Sequence, residues 1–183
     1  MTEKFAVIDT ETNWNNDVMS IGVVIAKDLE FEAIDTKYLV ISEAVKVGGM
    51  YSSVLYLEGQ RVEIGKRVNA IKRLTRYLKE NDVNSIFAYN APFDYRCLPE
   101  LKDFFWHDII RKAAYKEHNP AIPQDANFCK TGRLKHGSGV ENMMRMFGEK
   151  NYCEIHNALT DAVDELRIMK YLNYSIQAYN KLN

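Results

Sequence analysis

Five side chains stand where their types and spacing could do chemistry. Asp9 and Glu11 are two residues apart, directly behind the short apolar run Phe5-Ala6-Val7-Ile8. Such a run reads as a buried strand. Alternation along a strand then sends both carboxylates out of one face. Asp94 follows a second apolar run, Ser85-Ile86-Phe87-Ala88, in a turn that leads into a helix. Asp161 falls in the first turn of a helix for which Asn157 is the expected N-cap. His156 lies just before that cap. Acidic residues at strand ends line the crevice in which α/β sheets take their ligands.

If the four carboxylates converge, they repel. Two bare carboxylates about 4 Å apart cost roughly 4 kcal/mol at an effective dielectric near 20. Either some are protonated or divalent cations fill the gap. Oxygen ligands of high charge select Mg²⁺ or Mn²⁺ over zinc. Four carboxylates suit two metals about 3.5–4 Å apart, which clamp the attacking and leaving oxygens of a phosphoryl transfer. On one continuous helix, His156 and Asp161 would point roughly 140° apart. With Asn157 as cap, His156 belongs to the incoming loop and can swing over the site, where an imidazole takes a proton at neutral pH. Each residue alone has a blander reading. A helix first-turn Asp is usually solvated, an Asp after a strand is usually a turn residue, and a lone His is usually a surface or satisfied core residue. The combination, in this order, argues for a site.

The elements that must position these groups are legible in part. Ile21–Ala26 and Phe31–Ile41 read as two further strands, and the Asp28-Leu29-Glu30 turn between them favours antiparallel pairing. Residues 44–65 are broken by Gly48-Gly49 and Gly59 and show no clear element. Val68, Ile71, Leu74 and Leu78 recur at helical spacing, opposite Lys66, Arg67, Lys72, Arg73, Arg76 and Lys79. Pro92 suits the first turn of a helix from about Phe93. Asp108–Lys116 reads as a helix, 118–138 as loop and Val140–Phe147 as a short helix. Ala158, Ala162, Leu166, Met169, Asn173 and Ile176 form the stripe of the last helix. Strands followed by alternating helix and strand predict an α/β fold with a mixed sheet.

Composition bounds the function. The chain has 183 residues, 46% hydrophobic and 27% charged, which fits an ordered globular chain. One domain over 1–183 is expected, burying about 70% of its unfolded surface. Net charge is −1, from 24 basic and 25 acidic residues. No global positive field holds a polyanion, so grip must be local or through metal ions. Cys97, Cys129 and Cys153 are odd in number and lack CxxC spacing, so reduced thiols are expected rather than a disulfide framework or structural zinc. No apolar run approaches membrane-spanning length and the first residues show no signal-peptide pattern, which points to a cytoplasmic protein.

Three stretches, IDTET (8–12), FAYNAPFD (87–94) and HNALTDA (156–162), resemble in order the motifs of the DEDDh exonucleases, the DnaQ-like 3′→5′ exonucleases of the ribonuclease-H-like fold. The family's Asp-x-Glu-Thr is matched by Asp9, Glu11 and Thr12, its Asn-Ala-x-Phe-Asp by Asn90, Ala91, Phe93 and Asp94, and its His-x-Ala-x-x-Asp-Ala by His156, Ala158, Asp161 and Ala162. The resemblance implies a mixed central sheet of about five strands flanked by helices. It implies that Asp9, Glu11, Asp94 and Asp161 bind two Mg²⁺ or Mn²⁺, that His156 is the general base, and that Thr12, Asn90 and Phe93 lie beside the terminal nucleotide. The implied activity is release of nucleoside 5′-monophosphates from single-stranded DNA or RNA ends. An oligoribonuclease or RNA-trimming enzyme is the alternative within the class. A catalytically lost metal- and nucleic-acid-binding module is the alternative outside it, and a polymerase or a second copy is open as partner. Two positions depart from the pattern: Asn13-Trp14 stands where many members have Gly after the Thr, and Tyr89 where many have His. Both bear on nucleotide preference rather than on metal binding.

Other signals fail on chemistry. Asp9, Glu11 and Asn13 have EF-hand spacing, but Trp14 and Ser20 replace the required Gly and Glu. Lys130-Thr131-Gly132 has no Ser-x-x-Lys to go with it, and no P-loop is present. The basic helix face at 66–79 reads as solvated or as a phosphate track, and the cluster Lys130, Arg133, Lys135 and His136 as loop or substrate grip. Trp14, Phe93 and Trp106 could stack on bases; for Trp106 core packing is the stronger reading.

Overall fold

The computed structural model describes residues 3–182. Three strands form an antiparallel meander: β1 (Lys4–Thr12), β2 (Val18–Lys27) and β3 (Ala33–Ile41). The short β4 (Glu63–Gly65) adds in parallel to β3. On the other side of β1, β5 (Ser85–Ala88) pairs in parallel, and β6 (Phe105–Asp108) pairs in parallel with β5. The sheet order is β4-β3-β2-β1-β5-β6. Helices α1 (Arg67–Glu80), α2 (Ala91–Cys97), α3 (Ile110–Ala113), α4 (Val140–Met146) and α5 (Ala158–Leu172) complete the α/β fold.

The sheet carries a core on each face, and the alternation of β1 decides which face holds the chemistry. Ala6 and Ile8 pack with Leu74 and Leu78 of α1 and with Trp106. Phe5 and Val7 pack with Met143 and Met144 of α4 and with Leu166 and Met169 of α5. Asp9 and Glu11 continue the second series, so they leave the sheet on the α5 side. Gly22 stands opposite Asp9 across the β1–β2 pair. It has to be glycine, because a Cβ there would lie 2.0 Å from the Ala158 carbonyl oxygen at the start of α5. The missing side chain is what lets the last helix touch the sheet.

Several expectations are corrected. The sheet has six strands, not about five. Phe105–Asp108 is a strand that ends where a helix was expected to begin, and the helix expected over Asp108–Lys116 shrinks to α3. Residues 44–65 hold two 3₁₀ turns and β4. Val68 is exposed; the buried stripe of α1 is Ala70, Ile71, Leu74, Tyr77 and Leu78. The last helix stops at Leu172, because Asn173 turns left-handed, and Ile176 packs from a separate 3₁₀ turn. Residues 118–138 are loop, crossed only by isolated bridges. All three cysteines are free. Among the described residues no helix is long and apolar enough to cross a membrane.

Candidate active site

The site is assembled at the end of β1 by three neighbouring elements. β1 supplies Asp9 and Glu11 and then breaks register between Glu11 and Thr12. β5 ends at Ala88, and Asn90 turns the chain into α2 through a left-handed conformation at φ 68°. That geometry leaves Asn90 unable to cap the helix with its own side chain. Asp108, at the end of β6, does so instead: its Oδ1 accepts from the amides of Asn90 (3.0 Å), Ala91 (3.3 Å) and Ile110 (3.2 Å). The unread strand β6 is thus what aims α2. Asp94 sits in the first turn of α2, where its Oδ1 accepts the Thr10 hydroxyl at 2.7 Å.

The start of α5 is fixed by Asn157, which is fully buried. Its Oδ1 accepts from the amides of Leu159 (3.2 Å) and Thr160 (3.3 Å) and from Gln60 Nε2 (2.9 Å). Its Nδ2 donates to the Val54 carbonyl at 2.8 Å and the Tyr38 hydroxyl at 3.2 Å. One amide therefore caps the helix and ties the 51–60 segment to it. His156 precedes this cap in the left-handed region, at φ 61°. Its amide helps to lower the pKa of Asp161, and its ring lies on that of Tyr51, with centroids 4.1 Å apart and planes at 18°.

The carboxylates do converge. One ligand atom each from Glu11, His156 and Asp161 lie within 4.8 Å of one another. Burial pushes the Asp9 carboxyl well up, and the charges of Asp94, Asp161 and Glu11 push it further. Glu11 rises to about 8, through burial and then the charge of Glu154. Asp161 also rises to about 8, for the same two reasons and then Glu11. Asp94 is raised by burial and held back by the Thr10 hydroxyl and amide. Glu165, one turn after Asp161 and 2% exposed, is pushed well up by burial and then by Asp9 and Asp94. Six carboxylates thus act on one another, with His156 beside Glu11 and Asp161.

Their donor set fits a divalent cation. Asp9 Oδ2 and Asp161 Oδ1 are buried without a hydrogen-bond partner. A buried carboxylate oxygen left unpaired is costly, and hard oxygen donors with excess negative charge are what Mg²⁺ and Mn²⁺ accept. Asp9, Glu11, Asp94 and Asp161 are the residues that could hold such ions.

The other expected site residues are chain neighbours of these carboxylates. Thr12 ends β1 one residue past Glu11, and Asn90 and half-buried Phe93 stand before Asp94 at the start of α2. Trp14 is 65% exposed, whereas Trp106 is fully buried and donates to the Leu101 carbonyl, so it is a core residue. On α1, Arg67, Arg73 and Arg76 are ion-paired with Glu100, Glu63 and Glu80, so part of that basic face is answered within the fold. Lys130, Arg133, Lys135 and His136 are exposed. Sequence reasoning missed Thr10, Asp108, Glu154 and Glu165. Thr10 and Glu154 had a signal, lying within two residues of Asp9, Glu11 and His156. For Glu165 the signal was its i+4 spacing from Asp161, which puts both on one helix face.

The sequence matches no family model and no curated protein. Solved structures do match. The nuclease domain of 3′hExo, a DEDDh family member bound to rAMP, is similar with a TM-score of 0.60 and 12% identity, over 92% of this chain and 90% of that one. The 3′-exonuclease of a study of 3′-end specific recognition of histone mRNA stem-loop is similar with a TM-score of 0.65 and 11% identity, over 100% and 71%. The zinc-bound E. coli ExoI–ssDNA complex gives 0.59 and 15%, over 93% of this chain and 40% of that one. Identities this low speak for architecture, and the architecture is that of the DEDDh-family 3′-exonucleases, a ribonuclease-H-like α/β fold.

Proposed function

We propose that this protein is a metal-dependent 3′→5′ exonuclease that releases nucleoside 5′-monophosphates from single-stranded DNA or RNA ends. The observation that carries this is the crowding of Asp9 by Asp94, Asp161 and Glu11, with unpaired buried oxygens on Asp9 and Asp161 and a nitrogen of His156 close to Glu11 and Asp161. The 3′ polarity is supported by the names of the structural neighbours, which are 3′-exonucleases.

Asp9, Glu11, Asp94 and Asp161 would hold two divalent cations, Mg²⁺ or Mn²⁺. When bound, these ions supply Lewis acidity toward the scissile phosphate and lower the pKa of water. Thr10 and Asp108 keep Asp94 in place from behind. His156 takes the proton of the attacking water at an imidazole nitrogen. The 3′ oxygen then leaves and the 5′-monophosphate departs. Thr12, Asn90 and Phe93 flank the terminal nucleotide.

The test is purified protein with Mn²⁺ and 5′-labelled single-stranded DNA, single-stranded RNA and a dinucleotide. The expected result is mononucleotide release from a free 3′ end and resistance of a 3′-phosphorylated strand. Steady degradation past a blocked 3′ end contradicts the polarity. Metal binding without turnover on all three substrates contradicts the enzyme.

A further inference from the structure

Tyr51 is distant in sequence from every group of the proposed machinery, yet its ring covers that of His156, nearly parallel and 4.1 Å away between centroids. A nitrogen of the same ring lies within 4.8 Å of oxygens of Glu11 and Asp161, and the Glu154 charge bears on it too. The His156 backbone is left-handed. The stack is the contact made by a ring face, and it bears on the plane of the imidazole while the carboxylates act at its edge.

The platform is itself held by the elements that carry the carboxylates. The Trp14 amide, just past β1, donates to the Gly48 carbonyl at 3.1 Å. The Ser52 hydroxyl accepts the Gly49 amide at 2.6 Å. A Cβ on Gly49 would lie 2.7 Å from the Thr12 carbonyl oxygen, so this backbone is pressed against the end of β1. Three residues after Tyr51, the Val54 carbonyl accepts from Asn157, the cap of α5. Tyr51 is thus fixed to the strand that bears Glu11 and to the helix that bears Asp161. A ring mounted on both elements fixes the imidazole relative to the carboxylates on each.

We propose that Tyr51 is a positioning residue for His156, holding the imidazole over the carboxylate crevice by ring stacking. This rests on the exonuclease reading above. The role needs an aromatic ring but not the hydroxyl, since stacking is a property of ring faces. It also predicts that Tyr51 acts only through His156.

Two arms test it. In protein with isotope-labelled histidine, assigned with His156→Ala, the His156 ring protons should be shifted upfield by the tyrosine ring current. Tyr51→Phe should keep that shift and Tyr51→Ala should lose it. On 5′-labelled single-stranded DNA with Mn²⁺, Tyr51→Ala should lower kcat about 10- to 100-fold, the order that misorientation of a reacting group costs. KM, calorimetric Mn²⁺ affinity and Tm should hold, and Tyr51→Phe should restore the rate. In a His156→Ala background, Tyr51→Ala should add nothing. A change confined to KM assigns Tyr51 to the nucleotide and overturns the role, as does a further loss of kcat in the His156→Ala background. An active wild type without the ring shift overturns the role alone. An inactive wild type with the shift intact overturns the nuclease reading, and the catalytic part of the role with it.

Discussion

Thr10 and Asp94, separated by 84 positions, are joined by a hydroxyl-to-carboxylate hydrogen bond of 2.7 Å. Thr10 alternates away from Asp9 and Glu11 along β1, so the strand presents two carboxylates on one side and the clamp for a third on the other. Thr10→Val keeps the shape and removes the donor. It should weaken Mn²⁺ binding about 10- to 100-fold, as loss of a group that orients a metal ligand does. Folding stability should fall by about 1–3 kcal/mol, the cost of an unsatisfied buried partner. Titration calorimetry and thermal unfolding measure the two, and wild-type Mn²⁺ affinity in the variant would show that Asp94 is oriented without Thr10.

Asp9 is crowded by Asp94, Asp161 and Glu11 and has an unpaired oxygen. Asp9→Asn should therefore abolish turnover and Mn²⁺ binding while raising the Tm of the metal-free protein. Asn is neutral without taking up a proton, so the cost of burying a carboxyl among other carboxyls disappears, and for a chain of this length each kcal/mol gained is worth about 2–4 °C. Scanning calorimetry in chelator checks the sign. A lowered Tm means that the carboxylate is satisfied without metal.

His156→Ala should cost about 10²–10⁴-fold in rate, the usual worth of general-base assistance, with Mn²⁺ binding retained. The residual rate should climb with pH, as hydroxide replaces the lost base. Wild-type rate and pH profile in this variant would make His156 a bystander. Tyr152, four residues before His156, is poorly placed to take over as base, because its hydroxyl donates to Asp164, and burial and that bond push its pKa up.

The metal-free protein should lose stability as pH rises. Glu11 goes from 4.5 to about 8 on folding and Asp161 from 3.8 to about 8. Groups with raised folded-state values hold protons that the unfolded chain has released. Their contribution is fully present below about pH 4 and is lost as pH climbs toward about 8. The slope is about 1.4 kcal/mol per pH unit for each excess proton held by the folded state. Saturating Mn²⁺ should flatten it, because the ion takes the place of the protons. Urea unfolding at pH 5 and pH 8, with chelator or Mn²⁺, reads this directly; equal stability at both pH values in chelator contradicts it.

What the sequence made legible follows from how local each signal was. The strand runs before Asp9 and Asp94 and the cap at Asn157 are written in a few adjacent residues, so their elements were readable. β6 was not: Phe105-Trp106-His107-Asp108 is four residues long, and its strand character comes from pairing with β5. β4 is three residues and equally dependent on its neighbour. Val68 fitted the helical period of α1 but points outward, since three apolar positions define a stripe only to within a turn. At the site, the motif residues could be named from their order. Their supports were harder to name: Thr10 is adjacent to two of them but acts on Asp94, 84 positions away, and Asp108 and Tyr51 act through contacts between chain-distant elements.

Gly22 has a consequence for the order in which this molecule assembles. The β1–β2–β3 meander closes short loops and is accessible early, whereas β5 and α5 must be recruited across much longer stretches of chain. Asp9 and Glu11 then wait on a preformed strand, and the bare backbone at Gly22 receives the start of α5, with Asp161 one turn beyond. The repulsion among the carboxylates is deferred to that docking step. Divalent ions, whose pocket exists only after it, should slow the unfolding of the chain far more than they hasten its folding.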